Sequence, residues 1–155
     1  MSNEPWSIRR RDWENISGRL VDGTWYRVSF SVASQDLVKS ERGIYLITMK
    51  VPKATEGHLF NEIQNPIYIG LSINLRQRFK QHTSSRRSNA LWRKLSEVRN
   101  FCSFNYCCFP DLSQEGLKNL EQQLIDCFGK QLNEINSVAQ GAPIRGVYSI
   151  GGENA

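Results

Sequence analysis

The sequence predicts a small α+β domain, with one antiparallel β-sheet of about three core strands flanked by helices. Three observations predict it. Short β-branched and aromatic runs recur at 43–51, 67–70 and 101–109. Between and after them, apolar residues return at helical spacing, as in the pairs Leu75/Phe79 and Leu117/Leu124. The resulting order is strand, strand, helix, helix, strand, helix, which a single sheet covered by helices accommodates. The chain has 155 residues and is 39% hydrophobic, enough for one domain with one core.

Residues 1–40 read as an N-terminal extension that carries a strand and a candidate substrate-binding arm, and residues 41–155 as the main domain. In TWYRVSFSV, Tyr26, Val28, Phe30 and Val32 alternate with Trp25, Arg27, Ser29 and Ser31, the period of a half-buried strand. GIYLITMKV (43–51) is a dense strand, and IYIG (67–70) a second that pairs with it as an antiparallel hairpin. The intervening 52–66, with two prolines and a glycine, reads as a loop. Asn74 is positioned to cap a helix over about 75–83, and Asn89 a second helix with Leu91, Leu95 and Val98 on one face. FCSFNYCCF (101–109), closed by Pro110, is a buried strand. Asp111 or Ser113 caps a third helix, with Leu117, Leu120, Leu124 and Phe128 on its apolar side, and Gly129 ends it. IRGVYSI, in a glycine-rich tail, is a candidate last strand.

Composition narrows the class. The net charge is +5, which favours a polyanionic partner without requiring one. No run of 18 apolar residues is present to span a membrane. The N-terminus carries no apolar secretory core, and the cytosol is the expected compartment. Cys102, Cys107, Cys108 and Cys127 lack the spacing of a zinc site and read as reduced thiols, with Cys107 and Cys108 on opposite faces of a strand.

Three groups of residues are able to carry chemistry. Glu121 shares a helix side with Leu117 and Leu124, where a carboxylate is costly without a partner. Taken alone, an edge glutamate is the simpler reading; the sharper one is a ligand for a hard cation. On the 75–83 helix, Arg78 and His82 are four residues apart and share a face, with Arg76 and Lys80 on a neighbouring one. An arginine fork grips phosphate and a histidine moves protons, although a charged helix face is by default a solvated one. Tyr45 and Tyr68 sit mid-strand, where β-propensity alone explains tyrosines.

Taken together, these residues are more specific. GIY at 43–45 and YIG at 68–70 resemble the signature of the GIY-YIG nuclease superfamily, in its homing and restriction branch. NLRQRFKQH is similar to that family's helix, whose functional arginine and histidine match Arg78 and His82. LEQQLIDCF is similar to the helix bearing its metal-binding glutamate, which matches Glu121. KQLNEIN is similar to the motif that follows, whose asparagine matches Asn133. The resemblance covers roughly residues 43 to 136.

The resemblance implies a divalent-metal-dependent endonuclease that hydrolyses DNA phosphodiesters, with Mg²⁺ or Mn²⁺ on Glu121. Arg78 would stabilise the transition state and Asn133 position groups. A tyrosine would act as base, with Tyr45 preferred over Tyr68, and with His82 bonded to it or to the phosphate. The implied partner is double-stranded DNA, and cutting both strands implies a homodimer or two sequential nicks. Arg76, Lys80, Arg86, Arg87, Arg93, Lys94 and Arg99 are candidate phosphate contacts, and Arg9–Arg11 a candidate arm along the duplex.

The sequence departs from the pattern in two places. The connection between GIY and YIG holds 22 residues, about double the compact form. Leu71 follows YIG where several members carry lysine or serine, which removes one cation. The alternatives are a nucleic-acid-binding or regulatory member without turnover, and an unrelated α+β protein. The last predicts Tyr45, Arg78 and Glu121 far apart in space.

Overall fold

The computed structural model describes residues 9–53, 55–59 and 63–128. Helix α1 (Arg10–Asp22) precedes strand β1 (Trp25–Ser29) and a 3-10 turn at Val32–Leu37. The strands β2 (Gly43–Met49) and β3 (Asn65–Ser72) follow, then the helices α2 (Leu75–His82) and α3 (Ala90–Lys94). A second 3-10 turn at Arg99–Phe101 leads into β4 (Cys102–Cys108), and α4 (Gln114–Phe128) completes the set.

The strands form one antiparallel sheet in the order β1-β4-β2-β3. The predicted hairpin pairs as expected, with Tyr45 opposite Gly70 and Ile47 opposite Tyr68. The sheet has four strands rather than about three. β1 joins it along β4, from Trp25 opposite Cys107 to Ser29 opposite Ser103. β3 is an edge strand, which explains how it tolerates Pro66: an edge residue need not donate to a second neighbour.

Strand alternation sorts the core into two faces. Tyr45 and Ile47 share a face with Phe104 and Tyr106 of β4, the residues paired with them. That face receives Phe79 of α2, whose ring meets Phe104 edge-on at 4.8 Å, and Phe30 beside it. Ile44, Leu46, Ile69 and Leu71 form the other set. α4 packs against β2 and β3 through its buried Leu117, Leu120 and Leu124, with α1 alongside it.

The caps follow the sequence closely. The Asn74 side chain accepts from the Gln77 amide, and Asn89 from that of Trp92. Ser113, the second of the two candidates, accepts from Gly116 at the start of α4. α3 is shorter than its apolar spacing suggests. The Trp92 carbonyl is taken by the Arg99 guanidinium at 2.8 and 3.1 Å, and the Ser96 amide turns to Arg93 instead, closing the helix with a 3-10 bond. Leu91 and Leu95 are still buried. α1 is an addition to the predicted elements. Its first turn contains Arg10 and Arg11, and Arg10 pairs with Glu14 at 2.8 Å. Cys102, Cys107 and Cys108 are free thiols, with Cys107 buried and Cys108 half-buried, as expected for opposite faces of a strand. Gly129, Asn133 and the IRGVYSI segment lie outside the described residues.

Candidate active site

The hairpin register brings the two tyrosines together. Tyr45 and Tyr68 lie on one face of neighbouring strands, their rings stacked 6.1 Å apart at 18°. Both glycines of the paired tripeptides have a steric reason. A Cβ on Gly70 would overlap the Tyr45 phenol, which lies directly over that backbone. A Cβ on Gly43 would strike the Cys107 carbonyl oxygen of the paired strand.

Helix α2 lays its Arg78/His82 face against these phenols. The Tyr45 hydroxyl and His82 Nε2 are 2.7 Å apart, and the His82 ring stands edge-on to both tyrosines. Burial, with the nearby Arg78 charge, pushes the imidazole down to about 4, so it is neutral at physiological pH. Burial likewise raises the Tyr45 phenol well above its usual range, and the adjoining Tyr68 adds to this, against an opposing pull from Arg78. The bond therefore joins two neutral groups. In the Nδ1–H tautomer the phenol donates to Nε2.

A cleft of about 440 Å³ opens at the edge strand, lined by Tyr45, Tyr68, Gly70, Leu71, Arg78, Lys118, Glu121 and Gln122. Tyr45, Arg78 and Glu121 thus share one cavity, which disposes of the unrelated-fold reading. His82 stands behind Tyr45 and opens into a neighbouring cleft instead. Glu121 is half-buried, and desolvation raises its carboxyl while Arg78 and Lys118 pull it back. Among the described residues its carboxylate makes no hydrogen bond or ion pair. A partly desolvated, unpaired carboxylate facing a polar cleft fits a hard divalent cation, which takes one or two carboxylates and completes its shell with water and substrate oxygen. No cluster of three or more His, Cys, Asp or Glu occurs among the described residues, so any such ion would rely on that mixed shell.

Hydrogen bonding sorts the basic residues. The Arg78 guanidinium has no side-chain hydrogen bond among the described residues, and its donors face the cleft. Arg76 gives its Nε to the Val38 carbonyl at 2.6 Å and its Nη2 to that of Asp36 at 3.2 Å. Arg99 stacks over Trp92 at 3.8 Å, and Lys94 is buried. Lys80, Arg86, Arg87 and Arg93 are exposed, and of these Lys80 and Arg86 line the cleft on the His82 side of Arg78. Lys118 and Gln122 are cleft residues that the sequence reading passed over. The signal was available, since Lys118 is three residues before Glu121 on the same side of α4.

The GIY-YIG catalytic domain family matches residues 41–136, more than half of the chain. The protein belongs to the GIY-YIG nuclease superfamily, a family generally of endonucleases. Comparison with curated proteins and with solved structures gave no match. Among the described residues, no helix is long and apolar enough to cross a membrane.

Proposed function

We propose that the edge-strand cleft is the active site of a divalent-metal-dependent endonuclease that hydrolyses DNA phosphodiester bonds. The observation that carries this reading is the 2.7 Å Tyr45–His82 bond at the wall of a cleft that also holds Arg78 and Glu121. Glu121 would hold the cation, which when bound supplies Lewis-acid neutralisation of the phosphate charge. Arg78, whose side chain makes no hydrogen bond among the described residues, presents its planar fork to the non-bridging oxygens and stabilises their charge as the nucleophile adds.

The attacking water needs a proton acceptor. A free Tyr45 phenolate is scarce near neutral pH because burial raises the phenol. The acceptor is therefore the Tyr45–His82 pair: the phenol oxygen takes the water's proton while its own proton passes to the neutral imidazole. This ordering favours Tyr45 over Tyr68 as the base, since Tyr45 makes the bond to His82. Asn133, by its match to the family motif, is proposed as a positioning group. The competing reading, a binding module without turnover, draws on Leu71, where other members carry a cation. Lys118 lines the same cleft as Leu71 and supplies a positive charge there.

One cleft cuts one strand per encounter, so a double-strand break takes two chains or two visits. The test is incubation of purified protein with supercoiled plasmid across a series of divalent ions, with and without EDTA. Metal-dependent conversion to open circles is the expected result. Tight DNA binding without conversion in any metal would favour the binding module.

A further inference from the structure

A second cleft, of about 530 Å³, lies on the other side of Arg78. It shares Arg78 and His82 with the site above and adds Lys80 and Arg86. Its charge balance differs from that of the first. The edge-strand cleft mixes two cations with Glu121, whereas among the described residues no lining residue of the second is acidic. A cavity whose described lining holds three permanent cations and no carboxylate suits an anion without a metal. Its wall is also tied in place. The Asn89 Nδ2 group is shared among the carbonyls of Gln81, His82 and Ser84 at 2.8–2.9 Å, while its Oδ1 caps α3 through the Trp92 amide. One side chain thus fastens the 83–89 turn to the last turn of α2, and Arg86 stands on that turn.

We propose that this cleft is a dedicated subsite for the backbone phosphate next to the scissile one. Arg86 and Lys80 grip it, and Asn89 is the positioning residue that sets Arg86 in place. Arg78 stands between the two cavities, so consecutive phosphates of one strand would lie on either side of it. Adjacency to a scissile phosphate rests on the nuclease reading, but the cleft's anion preference does not.

The experiment measures binding of a short fluorescent duplex in EDTA as a function of salt, together with cleavage kinetics in Mg²⁺. Arg86→Ala and Lys80→Ala should each weaken binding about fivefold to tenfold and lower the slope of log K against log salt by about one. In cleavage, each should raise KM and leave kcat within a few fold, as expected for a contact made equally in ground and transition states. Asn89→Ala should reproduce the Arg86→Ala loss, and the double variant should bind no worse than Arg86→Ala alone, a non-additivity that general loosening of the fold would not give. Unchanged salt slopes in Arg86→Ala and Lys80→Ala would overturn the subsite whether or not the protein cuts. Lowered slopes in a protein that never cuts would keep the subsite and overturn the nuclease.

Discussion

Arg76 and Arg78 sit two residues apart on one helix, yet their partners assign them different work. Arg76 holds the Val38 and Asp36 carbonyls and so ties the 36–39 segment to α2. Arg76→Ala should lower stability by about 1–2 kcal/mol in a urea titration, chiefly because it leaves the part-buried Val38 carbonyl unpaired. Among the described residues, Arg78→Ala breaks no such bond. It should leave the unfolding free energy within about 0.5 kcal/mol of wild type while cutting the cleavage rate by about 10²–10³, the loss typical of an electrostatic stabiliser. His82 gives a further contrast. Removing it strands the Tyr45 proton, so His82→Ala should lower kcat by about 10²–10⁴. The residual rate should climb with pH toward the alkaline range, because the raised phenol must then ionise unaided. A residual rate flat in pH would mean that the imidazole is not the phenol's acceptor.

At the scale of elements, the β2–β3 hairpin and α2 carry most of the site, and these were the most legible parts of the chain. The dense strand GIYLITM and the Asn74 cap are strong local signals, and the order of the tripeptides, Arg78, His82 and Glu121 follows one family pattern. What local signals do not encode is contact across the sheet. β1 was readable as a strand from its period of two, but its place beside β4 depends on residues about 80 positions away. α1 went unread because an arginine run and a mid-helix glycine obscure its spacing, although Ile16, fully buried, lies three residues after Trp13. The Tyr45–His82 bond was one of two options open to His82, and only the placement of α2 against the hairpin separates them. The hairpin also yields a sharp test. Gly70→Ala puts a methyl where the Tyr45 phenol lies, so the phenol must shift and its bond to His82 is disturbed. It should cost about 1–3 kcal/mol of stability, as overpacking does, and most of the cleavage activity. A fully active Gly70→Ala protein would show that the position of the phenol is immaterial.

For the whole molecule, the site imposes a conflict between stability and activity that pH reveals. His82 is neutral in the fold, with its pKa depressed from 6.5 to about 4. Its contribution to stability is intact above about pH 6.5 and is lost as pH falls toward 4, by up to about 3 kcal/mol. Glu121, raised by burial, acts in the opposite sense: its ionised form burdens the fold above the ordinary carboxylate range. Thermal melts of wild type and His82→Asn between pH 7 and 4 should therefore differ in slope, with the variant the flatter. Glu121→Gln should melt at least as high as wild type at pH 7 without added metal, and lower than wild type once Mn²⁺ is present. Above all, cutting requires that carboxylate and the Arg78 guanidinium to act on one phosphate. Plasmid nicking in Mg²⁺, with wild type, Arg78→Ala and Glu121→Gln compared at equal concentrations of protein shown to unfold cooperatively, measures this directly. The expected result is open circles from the wild type and a loss of at least about a hundredfold in both variants; nicking by Glu121→Gln at the wild-type rate would contradict it.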